Sequence, residues 1–507
     1  MKKFSFYYVL ALATGLIVYS CSKDKDDAPP TTADAPTISS FSPASAAVGE
    51  EVTITGKNFV ASTTGNVVKF NGTTASVTAA TVTQITTSVP SGATTGKITV
   101  KVGSNTATSS TDFEVLTGPT AIVLDETELS LKTLDTAKLG ITNIGDFGDE
   151  EVSWSSDNEA AVLVDDDGNL KAVGGGTATI NVAIGDLSVT AVVNVTAASF
   201  VVGNENYVGK VWRNGEEFYS FGNGANQEVE LYSLYITDTG DIYAAGSIYD
   251  SDQEQMSGAI WKNGNLDSYL VGSNVSGDAQ AFSIYVSNDG DVLASGYYYD
   301  VDDNEIGVVW ENGSVLYTLD ENEGDATLNA ITIDEENGTV YAVGREGNDA
   351  ILMVGDGTPE AILPDSEFSI ANDVFVKDSK VYIVGKEDGN AFSWINDETQ
   401  TLPKSLSAAT AESVFVADNG DVFAVGHETS ENARLGILWQ NGVIVPATAD
   451  MEDAILKAIG YANDEVYFAG HLAKVEYEAA YWLGTGEANI LVGGNGSDGF
   501  AYDIIVK

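Results

Sequence analysis

The chain has 507 residues, with 23 Lys and Arg against 75 Asp and Glu, a net charge of −52, and 43% hydrophobic residues. That length and apolar content imply about three folded domains and not an acidic disordered tail. The charge argues against nucleic acid and against a polybasic membrane patch, because both need clustered cations. A single Cys excludes a structural disulfide within the chain and CxxC-type zinc or redox sites, and two His exclude a three-His metal centre.

In chain order, Lys2 and Lys3 precede an apolar run from Phe4 to Val18 that is short for a membrane-spanning helix and suits a signal segment, residues 1–20. It ends at Tyr19-Ser20-Cys21, which contains the one Cys. This resembles a bacterial lipoprotein signal, which implies lipidation at Cys21. Residues 21–34 are charged and then Pro-rich (Lys23-Asp24-Lys25-Asp26-Asp27, Pro29-Pro30), a tether that cannot pack. The charged run resembles the export signal of surface lipoproteins in some Gram-negative bacteria. The implied location is the outer membrane, lipid-anchored and facing the cell exterior.

Residues 35–116 alternate short apolar runs with Gly, Pro and Asn, as in Val52-Thr53-Ile54 and Ile98-Thr99-Val100, which predicts a β-sandwich. The wording Phe41-Ser42-Pro43, Gly49 to Phe59, Phe70-Asn71-Gly72 and Asp112-Phe113 resembles an IPT/TIG domain, and so implies an Ig-like spacer or interaction module. Residues 119–196 have the same character with Val152-Ser153-Trp154 at the centre and Gly174-Gly175-Gly176 near the end. They are similar to the group 2 bacterial Ig-like domain. Trp154 reads as core packing. Asp165-Asp166-Asp167 is a candidate calcium site whose default reading is a tight Asp-Gly turn.

Residues 199–507 repeat. Trp-x-Asn-Gly occurs at Trp212, Trp261, Trp310 and Trp439, with weaker copies at Met353, Trp394 and Trp482, at intervals of 41 to 49 residues. Each copy holds an apolar strand, a tight turn, a second strand ending in Gly, a third strand carrying the Trp, and a short fourth strand. A four-stranded unit of that period is a propeller blade. The region begins with a second strand, Phe200-Val201-Val202-Gly203, and ends with a first strand, Tyr502 to Val506. The two ends should therefore share one blade. The expected fold class is all-β: two Ig-like β-sandwiches followed by a seven-bladed β-propeller with velcro closure. The copies lack the Gly pair of kelch repeats and the Trp-Asp of WD40 repeats.

A propeller gathers its varied loops on one face, and loops on a rigid scaffold carry binding. Seven residues, expected at the start of the inner strands and around the channel mouth on that face, are candidate ligand contacts: Tyr232, Phe282, Asn329, Asn372, Glu412, Lys457 and Tyr502. Aromatics mixed with amides and charges suit a sugar or a peptide. The simpler reading is that they pack the blade tops. His427 and His471, each following a strand-ending Gly, could pair with Glu428 or Glu476 on a metal, against a default of chance placement. The acidic loops Asp250–Glu254 and Asp300–Glu305 are candidate calcium sites, against a default of solvated turns. No cofactor is expected, and no nucleophile elbow, P-loop, Rossmann or zincin motif is present, so no catalytic residue is assigned. The reading is a surface lipoprotein whose propeller binds an extracellular glycan. The alternatives are an adhesive or structural protein recognising a surface protein, and a propeller hydrolase or lyase acting on polysaccharide.

Overall fold

A computed structural model describes residues 34–222, 227–251, 254–270, 278–319, 324–355, 358–364, 366–431, 433–445, 451–462, 464–484, 486–493 and 497–507. The signal segment, Cys21 and nearly all of the tether lie outside them. The described residues are built from strands, with one short 3₁₀ turn at Ile144–Phe147. They form two compact units, Met1–Thr120 and Ala121–Lys507.

The first unit is a sandwich. One sheet runs in the order Thr37–Ser42, Glu51–Lys57, Gln84–Ser88, Val77–Ala80, and the other in the order Ser45–Ala47, Asn105–Leu116, Gly96–Val102, Val67–Phe70, Thr73–Ala75. Alternation buries Val52, Ile54, Val68, Phe70, Ile85, Ile98 and Val100 between the sheets. Phe113 packs edge-on against Phe70, ring centroids 4.9 Å apart.

The second unit opens with another sandwich. Glu128–Lys132, Leu187–Thr196, Gly176–Ile184 and Val152–Ser156 form one sheet, and Thr136–Lys138, Asn169–Ala172 and Val162–Val164 the other. Trp154 packs on its core of Ile180, Val182 and Leu139. The Asp165 carboxylate is taken up inside its own turn, accepting the N–H groups of Asp167 and Asn169 and the Asn169 side-chain amide.

The rest of the unit is a closed ring. Among the described residues there are seven four-stranded sheets of propeller order. Their inner strands, blades I to VII, are Gly499–Val506, Gln227–Ile236, Ala279–Val286, Ala326–Asp334, Ser369–Lys377, Ala408–Val416 and Ala454–Ala462. Each lies beside the next, and blade VII lies beside blade I. In blade I the C-terminal strand pairs antiparallel with Ser199–Glu205, so the two ends of the region complete one sheet and leave no open inner edge.

The Trp-x-Asn-Gly motif has a local cause in each part. Trp212, Trp261, Trp310, Trp439 and Trp482 are at most 4% exposed, wedged between blades. Asn and Gly both take positive φ, as at Asn263 (49°) and Gly264 (81°), which a two-residue hairpin turn needs. The Asn carboxamide then accepts the N–H that opens the second strand, as from Ile242 to Asn263 and from Val292 to Asn312 at 2.9 and 3.0 Å.

The repeated Gly of the second strand does something other than end it. Gly246 lies within Ile242–Asp250 and Gly426 within Val422–Thr429, so the strands run on for several residues. In every blade this Gly faces a β-bulge in the inner strand; in blade II Leu231 pairs with Gly246, Ser233 with Ala245, and Tyr232 is left over. The same shift recurs in the other six blades. A Cβ on Gly203, Gly246, Gly296, Gly344, Gly385, Gly426 or Gly470 would lie 1.9–2.1 Å from an inner-strand carbonyl oxygen, so only Gly fits opposite the pinched backbone.

Candidate functional site

The seven extra residues of the seven bulges are Tyr502, Tyr232, Phe282, Asn329, Asn372, Glu412 and Lys457, in ring order. A bulge re-aims the side chain of its extra residue, so one backbone device presents seven different groups. They sit four to six residues into the inner strands and not at their start, which moves the ring from the channel mouth to a level inside it. All seven are partly buried.

Neighbours around the ring hold one another. Tyr232 packs edge-on against Phe282 and Tyr502, with centroids 5.2 and 5.1 Å apart. Asn329 donates to the Ala371 carbonyl of blade V at 2.9 Å, and Asn372 to the Ala411 carbonyl of blade VI at 2.8 Å. Lys457 Nζ is 3.0 Å from Glu412 Oε1. The ring residues thus join neighbouring blades.

Beyond the bulge, toward the long loops, a second tier follows the repeated Gly: Asn204, Ser247, Tyr297, Arg345, Lys386, His427 and His471. The two tiers touch. Tyr297 packs on Phe282 with centroids 5.7 Å apart, and His427 Nδ1 lies 3.3 Å from Glu412 Oε1, off the line of a hydrogen bond. The aromatic members extend into an arc of eight rings across blades VII, I, II and III. Tyr477 and His471 meet Phe500, followed by Tyr502, Tyr232, Phe282, Tyr297 and Tyr299, with successive centroids no more than 6.2 Å apart. Tyr477, Phe500, Tyr297 and Tyr299 carry no repeated motif. The signal that could have found two of them is placement: Tyr297 follows the repeated Gly, and Phe500 pairs beside it.

Burial dominates the ionisation of these groups. It pushes the Tyr232 hydroxyl upward, helped by Glu230, to which that hydroxyl donates, and it pushes Tyr502 up to about 12. It pulls His471 down to about 3, helped by Lys457, and lowers His427 against the pull of Glu412, so both imidazoles are neutral at pH 7. Glu428 is fully buried and accepts from Ser405 N, Ser405 Oγ and Leu406 N, which removes it from any pairing with the histidines. The Asp300 carboxylate accepts Asp302 N, Asn304 N and the Asn304 amide, closing the same kind of turn as Asp165. Among the described residues no three His, Cys, Asp or Glu side chains group as metal ligands.

Two carboxylates follow the bulge, Asp503 in blade I and Asp373 in blade V. Asp503 accepts Ser233 Oγ, Leu234 N and Ile504 N; Asp373 accepts Ser413 Oγ, Val414 N and Val374 N. Each bonds its blade to the next. Desolvation pushes Asp373 up to about 7, offset in part by those donors.

The opposite face is occupied in part. Arg213 Nη1 lies 2.9 Å from Asp135 Oδ1 of the second sandwich, and Thr133 Oγ1 donates to the Lys507 carbonyl. Leu134 packs on the propeller core beside Gly240. A cavity of about 590 Å³ at this seam is lined by Glu159, Ala160 and Leu163 from the sandwich and by Asp238, Thr239 and Lys507 from the propeller.

Residues 36–115 match the IPT/TIG domain family. The comparison with curated proteins finds no match. Among solved structures, the chain is similar to a protein of unknown function from Bacteroides thetaiotaomicron (13% identity, 94% of this chain and 99% of that one, TM-score 0.27). It is similar to an auxiliary nutrient binding protein from the same organism (10% identity, 86% and 95%, TM-score 0.25). It is also similar to the periplasmic gluconolactonase of Pseudomonas aeruginosa (10% identity, 61% and 98%, TM-score 0.37).

Proposed function

We propose that this chain is a lipid-anchored outer-membrane protein of the cell surface that binds an extracellular glycan on the long-loop side of its propeller. The observation that carries the reading is the eight-ring aromatic arc, seven of whose members are partly exposed, set beside the amides of Asn329 and Asn372. A sugar offers apolar C–H faces to rings and hydroxyls to amides and carboxylates, and an aromatic in such a contact contributes on the order of 1 kcal/mol. Affinity for a short saccharide is then expected in the micromolar to millimolar range. The seating of the second sandwich on the turn side favours the long-loop side as the free surface. The first sandwich and the second, which resembles a group 2 bacterial Ig-like domain, act as spacers, with Cys21 as the acylated N-terminus.

A glycan array followed by calorimetric titration of Tyr232→Ala, Phe282→Ala and Tyr502→Ala tests the site. Each substitution should weaken binding several-fold. Binding that survives the triple substitution refutes the site, and binding to a surface protein in place of any glycan refutes the ligand class. Fatty-acid labelling tests the anchor: Cys21→Ser should abolish incorporation, and equal labelling of the variant overturns it.

A further inference from the structure

Blade I differs from the other blades in one connection. Its inner strand, Gly499–Val506, and its second strand, Ser199–Glu205, come from opposite ends of the propeller sequence, so no turn joins them. In blades II, III and VI that turn ends in an Asp: Asp241, Asp291 and Asp421. The carboxylate ties the turn to the Asn-Gly hairpin of its own blade. It accepts the carboxamide N–H of Asn263, Asn312 or Asn441 at 2.8–2.9 Å. In blades II and VI it also takes the residue before that Asn, Lys262 or Gln440, at 3.1 Å. Blade I has the hairpin, with Asn214 accepting Ser199 N at 3.0 Å and Arg213 before it, but it has no such turn and so no turn Asp.

The second sandwich supplies one. Arg213 Nη1 meets Asp135 Oδ1 at 2.9 Å, as Lys262 meets Asp241. Asp135 stands in the tip between Glu128–Lys132 and Thr136–Lys138. That tip is closed by Asp135 N donating to the Lys132 carbonyl at 2.9 Å and Lys132 N donating to Asp135 Oδ2 at 2.8 Å. Thr133 is fully buried, and its hydroxyl donates to the Lys507 carbonyl. The same carbonyl accepts Ala198 N at 3.0 Å, and Lys507 N donates back to the Ala198 carbonyl at 3.1 Å. The tip therefore grips the point where the closing strand meets the second strand. Lys507 Nζ carries the grip into blade II, donating to the Ile236 and Thr237 carbonyls at 2.9 and 2.8 Å.

Leu134, between those two residues, is shaped for this contact. Its φ is 71°, a left-handed conformation that a branched side chain avoids. Its N–H donates to the Ala172 carbonyl of its own sandwich at 2.7 Å, while its side chain packs against the propeller cluster that includes Phe200, Ile236 and Ile242. Gly240, in the turn of blade II, is buried beneath it: a Cβ there would lie 2.9 Å from Leu134 Cδ2 and 3.0 Å from Lys171 Cε. The matching Gly290 and Gly420 of blades III and VI are exposed, and no described atom lies within 4 Å of such a Cβ. One backbone turn thus occurs three times and is covered only where the sandwich sits.

We infer that the second sandwich is the clasp of the propeller: its tip, Thr133-Leu134-Asp135, takes the place of the turn that blade I lacks and holds the closing strand in the ring. This goes beyond a spacer role and does not depend on the ligand. An inner strand joined to its neighbour by a turn re-forms its pairing locally. The inner strand of blade I must instead close a loop as long as the whole ring, so opening begins there unless something else holds it.

The test is amide hydrogen exchange and calorimetry on the full chain. In the wild type the second sandwich and the propeller should melt in one transition. Leu134→Gly with Asp135→Asn should raise exchange in residues 499–507 at least about tenfold, leave Ser369–Lys377 of blade V unchanged, and lower the propeller midpoint. Leu134→Gly alone gives the deciding sign. It relieves the left-handed strain, so a tip that served only its own sandwich would keep or raise the midpoint, whereas a clasp predicts a fall. If the double variant does not fold, Arg213→Met breaks the contact from the propeller side and should give the same local rise in exchange. Unchanged exchange in residues 499–507, a midpoint kept or raised in Leu134→Gly, or independent melting of the two parts in the wild type would each overturn the clasp.

Discussion

The two sides of the propeller are built from the same seven copies and differ in what the copies hold constant. On the turn side four of the seven blades carry the same Asn-Gly hairpin, each Asn capping a strand and each Gly at positive φ. The second sandwich rests there through Asp135, Thr133 and Leu134. Toward the long loops the backbone is just as regular, with one bulge per blade opposite one Gly, yet the residue at the bulge is Tyr, Tyr, Phe, Asn, Asn, Glu or Lys. Repeated residues answer a folding problem that every blade shares. The varied residues stand where the fold supplies an identical platform and leaves the side chain free to differ.

The largest expected effect tests whether the ring is one cooperative body. Deleting residues 500–507 removes the inner strand of blade I, exposes the edge of Ser199–Glu205 and takes away the Lys507 carbonyl that meets Ala198 and Thr133. Calorimetry should show the propeller transition lost or displaced by many degrees, with the first sandwich unchanged. An unchanged midpoint and enthalpy would show that closure is not structural.

A smaller loss should follow when the platform alone is disturbed. Gly426→Ala places a Cβ 2.0 Å from the Thr410 carbonyl oxygen, so the bulge in blade VI must shift. The expected cost is about 3 kcal/mol or more, read from denaturant unfolding. A cost below about 1 kcal/mol would mean that the bulge tolerates ordinary strand pairing.

Asp373 sharpens the comparison through pH. Its carboxyl is raised to about 7 in the folded protein from 3.8, so the folded state favours the protonated form. The contribution is fully present below about pH 4 and is lost as pH rises through 7. Wild-type stability should therefore fall between pH 5 and pH 8 more steeply than that of Asp373→Asn, which has no proton to lose. The difference between the two profiles separates this group from the general repulsion of a −52 chain, and parallel profiles would contradict it.

The smallest effect belongs to the turn side. Asn312→Ala removes the acceptor for Val292 N and should cost about 1 kcal/mol, with no effect on glycan binding. A binding defect in this variant would place function on the wrong side of the molecule.

Much of the fold was legible in local pattern. Asn-Gly, Trp and Gly at a period of 41 to 49 residues specify a blade, and a second strand at one end with a first strand at the other specifies how the ring closes. Those signals are local because hairpin geometry and strand alternation depend on neighbours in sequence. The candidate ring is legible as a column in that repeat, but its depth along the inner strands is not. A bulge leaves no mark in the inner strand itself and is visible only through the Gly that must face it across the sheet.

What the tertiary structure alone decided is which varied residues meet. Tyr477, Phe500, Tyr502, Tyr232, Phe282 and Tyr297 come from the first third and the last part of the propeller sequence and form one arc only once the ring closes. Glu412 and Lys457 are 45 residues apart and meet across two blades for the same reason. The sequence by itself determined the repeat, the turn chemistry and the strand count, each set by contacts within one blade. The aromatic arc depends on contacts between blades, which no single repeat contains.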